Sequence, residues 1–219
     1  TPGTTPSTLL TYLQGGVKLD EAAAPNDGLR SIVITPMFQA TIVNALTGLF
    51  HQANAISEQY MKARMGTAIG FEWHMDQNCN THTVGAYAGT PRVNGASQTG
   101  TSLITDGWTA TTSALAVGDV FTIASVNSVN PQSRQNTGSL QQFVVTAAVT
   151  ASGTGAKTIS IEPSIAATGR DQTVNALPTD DALITVVGAA STASPQGLMF
   201  HRDAFTLVSP DEEPYLRRI

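Results

Sequence analysis

The densest group of side chains that could do chemistry lies between residues 72 and 82. It comprises Glu72, His74, Asp76, Cys79 and His82. Zinc sites usually combine two ligand pairs at short spacing, and this sequence has no second pair. In a strand, Glu72, His74 and Asp76 would share one face, as at a polar sheet edge. We therefore predict hydrogen-bonded side chains without a metal or other cofactor. A metal-dependent hydrolase centred on His74, Cys79 and His82 is an alternative.

Other catalytic patterns are incomplete. Cys79 and a nearby histidine would be a nucleophile–base pair, but the sequence shows no third group to orient the base. The segment Gly153–Thr158 lacks the glycine that precedes the lysine in a phosphate-binding loop, and no G-x-S-x-G elbow is present. Asp180 and Asp181 are neighbours, so in a strand they point to opposite faces. The sequence predicts that the protein is not an enzyme.

The composition narrows the class of protein further. The chain has 219 residues, of which 41% are hydrophobic, 12% charged and 6% aromatic, with a net charge of −5. The charged share is about half of the roughly 25% usual in globular proteins. Eleven scattered Lys and Arg residues form no basic face for nucleic acid, and no apolar run approaches the roughly 20 residues of a membrane helix. One cysteine excludes a disulfide within the chain. These values favour broad polar contacts with other proteins.

The first 75 residues have mixed helix and strand signals. Thr5 and Pro6 predict the start of a helix that ends at Gly15-Gly16, and Ser31–Ile34 predicts a buried strand. Thr35 and Pro36 predict a second helix. Its apolar stripe would be Phe38, Ile42, Ala45, Leu46 and Leu49, with Gln39, Thr41 and Asn44 facing away. A third helix is predicted from about Ser57 to Ala68, followed by a strand at Gly70–Trp73.

Short strands replace the helical pattern from about residue 83 to residue 194. Strands are predicted at Val120–Val126 and Leu183–Val187. The segment 143–150, with Phe143, Val145, Ala147 and Val149 on one face, should form a hairpin with Lys157–Ile161, whose Ile159 and Ile161 point inward. This pattern is typical of a small antiparallel barrel or sandwich. A closing apolar stretch follows Pro195, from Leu198 to Val208.

Three polar or aromatic features are candidates for contacts. The long polar loop at Asn130–Thr137 could meet a neighbouring subunit through Gln132, Arg134 and Asn136. Trp73 and Trp108 are expected in the core or at a subunit contact, because no pattern around them indicates ligand stacking.

Several segments, in their order and spacing, resemble tailed-phage major capsid (coat) proteins of the P-twenty-two-like type, which carry an inserted domain. The segments are Arg30–Ile34, Gly70–Phe71, Thr81–Gly85, Gly89–Gly95, Thr105–Trp108, Gly118–Ile123, Val129–Gln132, Leu140–Thr146 and Phe200–Phe205. The resemblance extends from residue 4 to about residue 210.

The resemblance implies an α+β fold of the Hong Kong 97 type, a plate that tiles an icosahedral shell. Residues 1–75 and 198–219 would form a partial capsid domain, mainly its axial part. Residues 76–197 would be an inserted antiparallel β-barrel domain, which meets neighbouring subunits. The change of periodicity near residue 75 and after Pro195 gives the same boundaries. The family's N-terminal arm, extended loop, spine helix and C-terminal remainder have no counterpart, so a fragment is implied.

The function implied by the resemblance is structural. Other copies of the coat protein, and a scaffolding protein, would be the partners in the virion, after production in the bacterial host cytoplasm. We expect the fragment alone to be a soluble monomer or small oligomer without membrane or DNA binding. A phage surface or tail-associated β-domain that binds a host glycan or protein is an alternative, although two Trp and four Tyr provide little for an aromatic groove.

Overall fold

The computed structural model describes residues 5–46 and 66–206 of the chain. Two helices, α1 (Leu9–Glu21) and α2 (Pro36–Leu46), lie in the first part. The strands are β1 (Arg30–Ile34), β2 (Thr67–Ala68), β3 (Phe71–Met75), β4 (Thr81–Thr83), β5 (Gly89–Val93), β6 (Gly100–Trp108), β7 (Ala114–Leu115), β8 (Val120–Val129), β9 (Asn136–Val145), β10 (Val149–Thr150), β11 (Lys157–Ile165), β12 (Ile184–Val186), β13 (Ala193–Pro195) and β14 (Leu198–His201). A 3-10 turn at Arg202–Ala204 follows β14. The described residues contain no helix long and apolar enough to cross a membrane.

Helix α1 differs from its prediction at both ends. It begins at Leu9 with Thr8 as N-cap residue, and not after Thr5, because the Pro6 carbonyl instead accepts a hydrogen bond from Thr41 of α2. It continues through Gly15-Gly16 to Glu21. A Cβ atom added at Gly15 would lie 2.3 Å from the Met199 sulfur. These glycines therefore bring the helix close to the sheet and do not end it.

Helix α2 starts as predicted. The Thr35 hydroxyl accepts a hydrogen bond from the Phe38 amide, and Phe38 and Ile42 are buried. Gln39 was expected to face away but is buried, and it lines a cleft beside Thr67 and Trp73 of the sheet. The expectation that Ala45 is buried is also wrong. The side chain of Leu46, and Leu49, lie outside the described residues.

Strands β1, β2, β3 and β14 form a four-stranded mixed sheet, called the α/β sheet below, in the order β14-β1-β3-β2. The predicted strands Ser31–Ile34 and Gly70–Trp73 are confirmed as β1 and β3. Both helices contribute to the core on one face of the sheet. The predicted third helix lies mostly outside the described residues. Its end is wrong, because Thr67–Ala68 is strand β2, which a tight turn with positive φ at Ile69 and Gly70 pairs with β3.

A second sheet has six strands in the order β12-β8-β9-β11-β6-β5, and every neighbouring pair is antiparallel. Its outer strands approach each other. The Val93 amide donates to the Ala182 carbonyl, the Asp181 amide donates to the Val93 carbonyl, and Arg92 bridges to Leu183. The sheet is thus nearly closed, and we call it the barrel. It encloses a second core, which includes Phe121, Phe143 and Trp108. The predicted antiparallel β architecture is confirmed.

The predicted hairpin in the barrel is wrong in part. Segment 143–150 is divided into β9 and β10, and Ala147 between them is exposed. β11 pairs with β9 over only two residue pairs and then with β6, while β10 pairs with β7. β11 lies between β9 and β6 in the sheet, so it pairs with one of them on each side. The long hairpin is instead β8–β9, and strand Val120–Val126 is confirmed as part of β8.

Candidate functional site at the junction of sheet and barrel

The chain leaves the α/β sheet and returns to it on the two sides of the same strand. Val33 of β1 pairs with His74 of β3 on one side and with Leu198 of β14 on the other. Adjacent strands lie about 4.8 Å apart, so the points of departure and return are separated by roughly 10 Å. The chain between these two points includes all six strands of the barrel.

The two connecting segments pair with each other. β4 and β13 are antiparallel, with Thr81 opposite Pro195 and Thr83 opposite Ala193. Backbone hydrogen bonds extend the pairing on both sides, from Gln196 to Asn80 and from Val84 to Thr192. We call β4 and β13 with these flanking residues the stalk. It carries the barrel on two paired strands, which is stiffer than a single linker.

A buried carboxylate fixes the stalk to the barrel. The side chain of Asp119, which precedes β8, is 0% exposed. Its Oδ1 lies 2.9 Å from His82 Nε2, and its Oδ2 accepts the Ala116 amide at 2.8 Å and the Gly85 amide at 3.1 Å. Gly85 leaves no room for a side chain, because an added Cβ would lie 2.5 Å from the Ala114 carbonyl oxygen. Both oxygens of the Asp119 carboxylate therefore have partners that position the stalk.

A second contact joins the end of α1 to the β8–β9 hairpin. The Ser139 hydroxyl donates to Glu21 Oε1 at 2.7 Å, and the Asn130 amide donates to the Glu21 carbonyl at 3.2 Å. Lys18 Nζ lies 2.8 Å from the other carboxylate oxygen. Partial burial opposes ionisation, yet the hydrogen bonds from Lys18 and Ser139 hold the pKa of Glu21 below its ordinary value. Glu21 therefore meets the barrel as a carboxylate.

The predicted contact loop is the turn of this hairpin. Gln132 and Asn136 are exposed. Arg134 adopts a positive φ of 58° and its guanidinium donates to the Gly169 carbonyl, so its charge is held against the barrel. The Asn136 side chain accepts the amide of Gly138 at 2.8 Å. A role of these residues in subunit contacts remains a prediction.

The five candidate metal ligands are not brought together. His82 contacts Asp119, whereas His74 lies 3.7 Å from Glu72 on an exposed face of β3. Cys79 donates its thiol to the backbone carbonyl of Asp76. Within residues 5–46 and 66–206, no three His, Cys, Asp or Glu side chains are grouped as metal ligands.

The other candidate catalytic residues also have local structural partners. Burial and the negative charge of Asp76 raise the pKa of Cys79, which favours the thiol over the nucleophilic thiolate. The segment from Gly153 turns into strand β11 and not into a helix. Asp180 accepts the Gly95 amide at 2.7 Å, whereas Asp181 makes a backbone bond to Val93.

Sequence reasoning missed a buried polar network in the barrel. Lys157 is 3% exposed, and its Nζ lies 3.9 Å from the centre of the Trp108 ring and 3.1 Å from Ser113 Oγ. Burial lowers the pKa of Lys157 to about 8, against the opposing charge of Asp119. A lysine of this kind beside a serine occurs in Ser–Lys catalytic pairs. Here Ser113 is 0% exposed and its Oγ accepts the Ala88 amide, so no substrate reaches it.

A signal for this lysine was present in the sequence. Ile159 and Ile161 were expected to point inward, and the period of two places Lys157 on the same face. Both tryptophans lie in cores, as expected: Trp73 in that of the α/β sheet and Trp108 in that of the barrel.

The chain is similar to a solved structure but matches no family model or curated protein. Among solved structures, the chain is similar to the CUS-3 coat protein I-domain, with 28% sequence identity over 47% of this chain and 98% of that one. The TM-score is 0.33, which is too low to establish a shared fold. The name of this neighbour is that of a coat-protein domain.

Proposed function

We propose that this chain is part of the major coat protein of a bacteriophage or prophage and has a structural, non-enzymatic role in an icosahedral shell. Residues 1–75 and 198–219 form the partial capsid domain of Hong Kong 97 type, and residues 76–197 form the inserted domain. The observation that carries the proposal is the departure and return of the chain on the two sides of Val33 in β1. It supports an insertion at the positions that the coat-protein resemblance implies.

The surface chemistry suits a shell subunit. In a closed symmetric assembly each contact recurs many times, so individual contacts need only be weak. Each unpaired charge buried at a contact costs several kcal/mol in order of magnitude, and only 12% of this chain is charged. The exposed residues Gln132 and Asn136 at the hairpin turn offer amide groups to a neighbouring copy. Scaffolding protein is a second partner in this proposal.

The test is to locate the chain in particles. The complete gene that contains this sequence is expressed in bacteria, and the sedimenting material is imaged by electron microscopy and digested for mass spectrometry. We expect closed shells that contain peptides of this chain. Shells without these peptides, or no shells although the protein is abundant, would overturn the proposal. The same cell fractions show whether the protein is produced in the host cytoplasm and whether it enters the virion.

The chain of 219 residues alone should not assemble. Size-exclusion chromatography is expected to show a monomer or small oligomer, and shell-sized particles would contradict this expectation. The net charge of −5 gives no attraction for a phosphate backbone. A salt-dependent gel shift at micromolar protein would contradict the proposal that the chain itself does not bind DNA.

No specific observation favours the alternative of a glycan-binding β-domain. In the described part of the chain, four aromatic residues that line clefts are Tyr12, Phe38, Phe71 and Trp73. All four are buried in the core of the α/β sheet. They therefore cannot form a platform for a sugar ring.

A further inference from the structure

The barrel is attached to the remaining described chain at two places that differ in strength. The first is the stalk, which Asp119 locks through a side chain that is 0% exposed. The second is Glu21 at the end of α1, whose side chain is 19% exposed. Water competes for the partly exposed Glu21 carboxylate but does not reach that of Asp119, and the pairing of β4 with β13 reinforces the stalk, so the Glu21 contact is the weaker of the two.

The Glu21 contact is isolated. Within residues 5–46 and 66–206, the hydrogen bonds that join α1 to the barrel are the two that Ser139 and Asn130 donate to Glu21. The cores of the α/β sheet and of the barrel share no buried residue. The buried apolar side chains of the two cores therefore do not extend across this contact.

Open clefts flank α1 where it faces the barrel. One of about 500 Å³ lies at the helix end, between Lys18 and Arg170. Another of about 730 Å³ lies at the helix start, between Thr8 and Gln142 of β9. Both have room for many water molecules. Closely packed surfaces resist sliding, but surfaces separated by water can move apart without creating a void.

A single strand connects the firm attachment to the weak one. Asp119 immediately precedes β8, and Asn130 immediately follows it. Ten residues of extended chain span about 30 Å. A rotation of about 10° at the Asp119 end would therefore displace the hairpin turn by about 5 Å.

We propose that the barrel pivots on the stalk, with Asp119 as the fixed point, β8 as the lever and the contact of Glu21 with Ser139 and Asn130 as a releasable catch. The catch holds the barrel against α1, and its release opens the two clefts together. This device does not depend on the assignment as a coat protein.

The test measures distances between spin labels in the full chain with Cys79 replaced by serine. One label pair, at Leu10→Cys on α1 and Gln132→Cys at the hairpin turn, spans the catch. A second pair, at Val117→Cys and Gln132→Cys, lies along the lever. All three labelled residues are exposed. Asn130 donates to the main-chain carbonyl of Glu21, so each catch variant also carries Asn130→Asp, which removes this donor but keeps the oxygen that accepts the Gln132 and Ser133 amides. Glu21→Ala with Asn130→Asp is expected to lengthen the first distance by about 5 Å and to broaden its distribution, with the second unchanged.

Ser139→Ala with Asn130→Asp removes the same two contacts from the barrel side and should give the same shift, so the test survives a Glu21 variant that fails to fold. Asp171→Asn is the matched control, because this exposed carboxylate lines the same cleft without touching the catch. An unchanged first distance in both catch variants would overturn the proposal. A broad distribution in the unmodified chain, or a change in the second distance, would also overturn it.

Discussion

Replacing Asp119 by alanine should destabilise the barrel by about 3–5 kcal/mol. The substitution removes the acceptor for the Gly85 and Ala116 amides and for His82. Each buried donor left without a partner costs about 1–3 kcal/mol, which puts the two backbone amides together near the middle of about 2–6 kcal/mol. The partial exposure of His82 places the expected loss within this range and not at the sum of all three bonds.

The two tryptophans make the measurement specific. Trp73 lies in the core of the α/β sheet and Trp108 in that of the barrel. In a Trp73→Phe background, the fluorescence of Trp108 alone follows unfolding of the barrel in urea. The free energy of unfolding is then compared with and without the Asp119 substitution.

A graded series provides the control. Asp119→Asn should lose only about 1–2 kcal/mol, because its amide oxygen can take the place of the carboxylate oxygen that accepts both backbone N–H groups, and its NH2 can donate to the other tautomer of His82. Asp180→Ala removes a carboxylate that caps the Gly95 amide at an exposed site and should lose less than either variant. A loss below about 1 kcal/mol for Asp119→Ala, or one equal to that of Asp180→Ala, would refute the reasoning.

Three further outcomes are expected. The free energy of unfolding should rise by up to about 3 kcal/mol from pH 8 toward pH 10.5, because in this range Lys157 is deprotonated in the folded chain and still protonated in the unfolded chain. Lys157→Met should flatten this slope, and an equal slope in the variant would contradict the prediction. In urea, Gly15→Ala should destabilise by about 1 kcal/mol through its clash with Met199, whereas Gly16→Ala, with 3.4 Å to its nearest neighbour, should be neutral or stabilising. The Leu29 amide and His201 hold the pKa of Asp27 below its ordinary value, so the free energy of unfolding should fall as the pH drops through that lowered pKa. In acid-unfolding measurements, Asp27→Asn should lose less stability over this pH range.

Local signals predicted the elements that depend on nearby residues. The Thr35-Pro36 start of α2 is confirmed because an N-cap and a proline act on the first turn itself. The antiparallel barrel is confirmed because alternation along a strand reflects burial of one face. The location of the contact loop at a turn was also predicted from its polar composition, although nothing in the sequence showed that Arg134 would bind Gly169.

The two attachments of the barrel could not be predicted from the sequence. Asp119 and Glu21 are single carboxylates without a motif, and their partners His82 and Ser139 are 37 and 118 residues away. Their roles arise only when the fold brings distant segments together. The same holds for the β8–β9 hairpin, because segment 143–150 was predicted to pair with Lys157–Ile161 and strand Val120–Val126 had no predicted partner.

The sequence by itself determined the start of α2, the strands β1 and β3 and part of β8, because these features depend on capping, periodicity and turns over a few residues. Tertiary structure decided that Gly15-Gly16 continues a helix and that Lys157 is buried above Trp108. It also decided that β3 and β14 meet on the two sides of β1. Close packing is the physical reason, since the space beside a residue is set by side chains far away in the sequence.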